Sequence, residues 1–123
     1  MAFQCVIVTP EEQLMDESAR QAIVPAHDGL VGILTDRAPL LVKLGLGRLR
    51  VDLANGGRRE YVVDGGIAQM KDNRLTVLTG NAWTPEELDT EAGRDEYARA
   101  EARRAGELKV AETRDRQTER AKG

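Results

Sequence analysis

His27 and Asp28 are neighbours in the chain, and an imidazole beside a carboxylate is the pairing from which general acid–base catalysis is built. His27 is the single histidine, though, and no nucleophile adjoins it in sequence, so it reads as a surface residue in a turn. Cys5 is the single cysteine, and one His with one Cys does not complete a four-ligand zinc site without carboxylates. Asp64-Gly65-Gly66 has the glycine content of a phosphate cradle, but no helix start follows to present its amides. A glycine pair between two strands reads instead as a bulge or a close-packed corner. Arginines recur from Arg94 to Arg120, yet acids outnumber the basic residues of that tail, so it reads as a mixed-charge solvated face. Such a face can still meet an acidic patch on a partner reversibly. A small enzyme using His27, Asp28 or Asp64 is thus the weakest functional reading.

The elements that would have to position these residues are mostly strands. Residues 3–9 are rich in β-branched side chains, with Phe3, Cys5 and Ile7 on one face, and read as a well-buried strand ended by Pro10. Residues 11–20 are polar apart from Leu14 and Met15 and are expected to form a short edge strand or loop. Residues 22–24 read as a second short strand, stopped by Pro25. From Pro25 to Val51 the chain is turn-rich and aliphatic: Asp28-Gly29 tolerates positive φ, and Pro25 and Pro39 fix two corners. This stretch suits docking better than chemistry.

Residues 32–34 and 40–44 read as strands about a turn at 35–39. Residues 47–53 alternate most cleanly, with Leu49, Val51 and Leu53 inward and Arg48, Arg50 and Asp52 toward solvent or a polar partner. Asn55-Gly56-Gly57 predicts a hairpin to residues 58–63, and Lys71-Asp72-Asn73 a turn to 74–78. At Thr84 the pattern changes: Thr at the N-cap, Pro85 at the first helical position and Glu87 three after the cap predict a helix start. Half of the residues from there to Gly123 are charged. The predicted apolar stripe is thin (Leu88, Ala92, Ala98, Ala102, Ala105, Leu108), so the helical segment is expected to be loosely held. Gly106 is the predicted C-cap, giving helices over 85–105 and 107–121, with a single bent helix as the alternative.

The fold class expected is therefore α+β: an N-terminal antiparallel β-sandwich or flattened barrel over 1–83, then a C-terminal helical hairpin or one bent helix over 84–123. A net charge of −3 and 3% aromatics argue against nucleic acid as a partner. The lone cysteine fits a reducing compartment. No apolar run approaches the ~20 residues of a membrane span, and the first residues do not read as a signal peptide.

Several stretches also carry a resemblance. Gly29 to Leu34 reads GxxGIL, followed by APLL at 38–41; Val8-Thr9-Pro10, Val63-Asp64-Gly65-Gly66 and Leu75-Thr76-Val77-Leu78 ahead of Ala82 fall in order around them. In this the chain resembles the epsilon subunits of F-type ATP synthases (delta in mitochondria). The resemblance implies a non-catalytic central-stalk subunit whose partners are the gamma subunit, the c-ring and, transiently, the alpha and beta subunits. It would meet the membrane only through the assembled complex, peripherally on the cytoplasmic face of the bacterial plasma membrane. By resemblance, Asp28, Gly29, Leu30 and Val31 face the c-ring, where family members often carry Glu at the position of Leu30. Arg37, Pro39, Leu40 and Leu41 face gamma, with Arg37 where the family has histidine. In some bacterial members the helical part binds ATP through a motif that Asp89 and Arg99 match here; the first arginine of that motif is Ala92. No cofactor is expected, and ATP binding is expected to be weak or absent. The helices are implied to restrain ATP hydrolysis when extended, though the second is short and poor in large apolar residues. The alternative from another class is a stand-alone β-sandwich ligand-binding module with a mobile helical lid, which needs a pocket lined by convergent polar groups.

Overall fold

Three strands of fourteen residues each, rather than many short ones, make up most of the body. The computed structural model describes the backbone of residues 2–122 and the side chains of residues 2–106. Along the chain run β1 (Phe3–Val8), β2 (Gln13–Ala26), β3 (Gly29–Leu34), β4 (Leu40–Leu53), β5 (Arg58–Lys71), β6 (Arg74–Leu78) and β7 (Ala82–Trp83). The helices α1 (Pro85–Leu88) and α2 (Glu91–Lys122) follow. Neighbouring strands are β1-β6-β5-β4-β2-β3, and β1 also pairs with β2, so the pairing runs round a closed ring of five strands. Strand β3 extends this ring from β2, and β7 from β5. The layered β architecture followed by helix is the one expected, in its barrel-like form. One pairing is not antiparallel: β1 and β6 run parallel, with Cys5 opposite Leu75 and Ile7 opposite Val77.

The long strands pass through places where the sequence suggests breaks. In β2, Met15 and Ala19 face inward, then Ala22 and Val24, and the change of parity falls where the β2–β4 register slips between Ala19 and Gln21. An extra residue at Arg20 re-aims the strand without ending it. So the polar stretch 11–20 is neither an edge piece nor a loop: its pairing with β1 sets Met15 against Ile7 and Ala19 against Phe3. Pro25 does not stop the strand either. It sits where the β2–β4 register is irregular, between Ile23 and Ala26, a place where its missing N–H costs no regular ladder bond. Inward residues also switch parity in β4, from Val42 and Leu44 to Leu49, Val51 and Leu53, across Gly45 and Gly47.

Asp64-Gly65-Gly66 is the close-packed corner expected, but it lies inside the continuous strand β5 rather than between two strands. Gly65 and Gly66 have φ of 71° and 108°, and a Cβ on Gly66 would collide with the Leu78 carbonyl of β6. Close backbone approach, not phosphate, explains this pair. The Lys71-Asp72-Asn73 turn is as expected, with Asp72 and Asn73 both at positive φ. So is the hairpin at Asn55-Gly56-Gly57, where the Gly57 N–H donates to Asn55 Oδ1 at 2.9 Å.

The core is mostly aliphatic, built from β1 to β6 around Phe3, Ile7, Ile33, Leu44, Leu49, Met70 and Leu75. Leu49, Val51 and Leu53 all point into it, as their alternation predicts. Asp52, on the other face, is nonetheless buried, and accepts hydrogen bonds from Arg50 at 3.3 Å and Arg58 at 3.1 Å. These donors hold its carboxyl below the usual carboxylate range, the Arg50 bond most of all.

Thr84 caps α1 as predicted: its Oγ1 accepts from the Glu87 N–H at 3.2 Å, and Pro85 is the first helical residue. The helical region breaks at Asp89-Thr90 rather than at Gly106, through which α2 runs uninterrupted. The long element is thus a single helix, not a hairpin. Its docking face differs from the predicted stripe. Ala92, Ala98, Ala102 and Ala105 are exposed, while Tyr97, Ala100 and Arg104, at helical spacing, turn toward the strands and Gly93 packs against the Glu87 carbonyl of α1. Leu108, which completed the predicted stripe, lies outside the described side chains.

Candidate partner-docking surfaces

The β2–β3 connection takes only two residues, His27 and Asp28, because Ala26 pairs directly with Gly29. Gly29 has φ of 142°, which favours glycine there. Asp28, Gly29 and Leu30 are exposed and Val31 is half-buried; Leu30, at 73% exposure, is the most exposed large apolar side chain described. Across the ladder from Leu30 is Pro25. Beside them a groove of about 390 Å³ is lined by Ile23, Pro25, Leu30, Leu46, Arg48 and Arg50 among others. His27 and Asp28 are both exposed, and no nucleophile is hydrogen-bonded to a base among the described side chains. The arrangement offers an aliphatic, arginine-edged surface rather than a reaction centre.

At the other end of β3 the loop 35–39 is fastened by one residue. Asn73 accepts the Asp36 N–H at 2.9 Å through Oδ1 and donates from Nδ2 to the Ala2 carbonyl at 2.8 Å. The β5–β6 turn, the chain's start and the β3–β4 loop are thereby held together, which fixes where Arg37 and Pro39 project. Both are exposed; Leu40 is half-buried and Leu41 is 67% exposed. Leu41 sits opposite Gln69, and Lys43 opposite Ile67, which in turn faces Leu78 on β6. Leu41, Ile67 and Leu78 therefore share one outer sheet face, and all three are exposed. Ile67 and Leu78 have no motif of their own, but their place beside an exposed Leu41 follows from the strand register.

Asp89 and Arg99 are not brought together. Asp89 is the exposed C-cap of α1, and its carbonyl accepts from Arg94 Nη2 at 2.7 Å. Arg99 is exposed on α2, with no ion pair to Asp89. What joins helix to strands is a set of residues that sequence reading did not single out for this task. Trp83 donates from Nε1 to Glu96 at 2.9 Å and meets Tyr97 edge-on, ring centroids 6.0 Å apart. Ala100 is fully buried, and Asp64 accepts from Arg104 at 2.8 Å and Arg103 at 3.4 Å. Asp64, Ala100, Arg103 and Arg104 also border a hollow of about 420 Å³ with Gly80 and Asn81. The spacing of residues 97, 100 and 104 carries a helical period, but Ala100 looks no different from the exposed alanines around it. No cluster of His, Cys, Asp or Glu among the described residues has the makings of a metal site.

The chain thus presents a closed strand body, a helix laid against it and two exposed aliphatic surfaces. Residues 2–85 match the family described as ATP synthase, delta/epsilon chain, beta-sandwich domain. The chain is 37% identical to the ATP synthase epsilon chain of Rhodopirellula baltica over 123 residues, covering 100% of this chain and 95% of that one. Two solved structures share the fold. One, from the Euglena gracilis mitochondrial ATP synthase OSCP/F1/c-ring, has a TM-score of 0.67 at 21% identity, covering 83% of this chain and 64% of that one. The other, from the Tetrahymena thermophila mitochondrial ATP synthase central stalk and c-ring, has a TM-score of 0.60 at 15% identity, covering 88% and 94%. The chain belongs to the ATP synthase delta/epsilon family, and within it is a subunit without a catalytic role. No helix among the described residues is long and apolar enough to cross a membrane.

Proposed function

We propose that the chain is a central-stalk subunit that couples rotation of a c-ring to gamma. The observation that carries this reading is the placement of its two exposed surfaces at the two ends of one short strand. The turn with Asp28, Gly29, Leu30 and Val31 lies at the start of β3, and the loop with Arg37 and Pro39, leading to Leu40 and Leu41, at its end. Six residues of strand separate them by about 17 Å. The first surface would rest on the c-ring through Leu30, whose apolar tip replaces a polar contact. The second would meet gamma through Leu41, with Ile67 and Leu78 beside it and Arg37 adding a charged donor. Membership of the family, and the central stalk and c-ring named for the Tetrahymena structure, support the assignment.

On this reading the strand body, 1–83, is the coupling part, and the helical part, 84–123, meets alpha and beta transiently to restrain hydrolysis. The subunit would lie peripherally on the cytoplasmic face of a bacterial plasma membrane, held there by its partners. No cofactor is called for, and with Asp89 and Arg99 apart, ATP would bind weakly or not at all.

Co-purification with a matching gamma subunit tests the assignment. Binding at micromolar concentration that Leu41→Asp weakens by at least about tenfold is the expected result. Failure of the unaltered chain to bind gamma would remove the reading.

A further inference from the structure

The helix α2 touches the strands through charges as much as through apolar area. Ala100 is its one fully buried side chain among those described, and an alanine buries little surface. Asp64, by contrast, is 12% exposed at the corner of β5 and takes hydrogen bonds from two successive helix arginines. Arg104, 33% exposed, is the closer and more buried of the two; Arg103 is 68% exposed. The Arg104 guanidinium lies over Gly65, and a Cβ there would occupy its place. The corner that turns β5 inward therefore also makes the seat for the arginine.

We infer that Asp64 and Arg104, seated on Gly65, form an electrostatic latch that decides whether α2 lies against the strands, with Trp83 and Tyr97 setting where it lands. Asp64 is largely shielded from water and its partners on the helix are these arginines, so removing either Asp64 or Arg104 should loosen the helix and not the strand body. The strand core shares no residue with the latch. A releasable helix would serve the restraint of hydrolysis proposed above and to that extent rests on it; the latch itself is a property of the isolated chain.

Trp83 is the only tryptophan, and it touches Glu96 and Tyr97 of α2, so its fluorescence reports docking directly. The experiment measures acrylamide quenching of the full chain as Asp64→Asn, Arg104→Gln and the double variant, with far-UV circular dichroism to follow the strands. Each single change is expected to raise the quenching constant at least about twofold, and the double no further than either alone, as coupled partners require. Arg99→Gln, on the exposed side, should leave it unchanged. Quenching that stays at the original level in Arg104→Gln would overturn the latch, as would effects of the two single changes that simply add. If Asp64→Asn does not fold, Arg104→Gln alone decides, because its side chain lies outside the strand core. Gamma binding plays no part in the readout, so a failed latch is distinguishable from a failed assignment.

Discussion

Pro25 on β2 and Gly47 on β4 lie back to back: a Cβ at 47 would stand 2.8 Å from Pro25 Cβ. The proline ring cannot swing aside, and it sits in the irregular part of the β2–β4 ladder. Gly47→Ala is therefore expected to lower stability by about 1–3 kcal/mol through overpacking. Gly32→Ala, whose Cβ would meet nothing within 4 Å, should be nearly neutral. Urea midpoints of the two variants would check this, and equal losses would refute the packing account.

Burial pushes the Cys5 thiol up from 9.0 to about 12, with Asp16 and Glu17 adding to the effect. Below pH 9 the thiol is neutral folded or unfolded, and its contribution is whole. Between pH 9 and about 12 the unfolded chain gives up the proton while the folded chain keeps it, so stability falls as pH rises. Cys5→Ala should show a shallower alkaline decline in urea midpoint than the unaltered chain.

Asp52 gives the opposite slope. Hydrogen bonds from Arg50 and then Arg58 hold its carboxyl below 3.8, so its contribution is whole above that pH. As pH falls further the unfolded chain takes up the proton first, and the contribution drains away until the folded carboxyl is protonated too. Asp52→Asn is expected to be less stable at neutral pH and to lose less on acidification. An acid limb as steep as the original would show that other carboxylates set it.

Leu30→Ser and Leu41→Ser remove exposed apolar tips and should change stability by no more than about 0.5 kcal/mol. Their expected effects in assembled complexes differ: Leu41→Ser weakens gamma binding, and Leu30→Ser leaves it intact while lowering the yield of complex retained on the c-ring. Pull-down on tagged gamma, then on tagged c-ring, separates the two surfaces.

Much of this was legible in local pattern. Leu49, Val51 and Leu53 alternate without interruption and point inward, and Thr84-Pro85 starts a helix where its cap chemistry predicts. What escaped reading are the places where a strand changes the face it presents. At Arg20, at Gly45 and Gly47, and at Gly65 and Gly66 the inward set shifts parity, so one strand of fourteen residues reads as two short ones. The helix face was missed for a different reason. Alanines are so frequent along it that burial of Ala100 alone is decided by what lies beside it, Asp64, Gly80 and Asn81, which are distant in sequence. Leu30 and Leu41 belong to motifs that stand out in the sequence, and both are exposed; the place of Ile67 and Leu78 beside Leu41 needed the register.

The seam where β1 runs alongside β6 also sets an order of events at the ribosome. Residues 4–8 are made well before their parallel partners at 74–78, which emerge some seventy positions later. Until then the opening strand has β2 as its only neighbour and a bare flank, so a nascent chain stalled before position 74 would carry an unzipped cylinder in need of shielding.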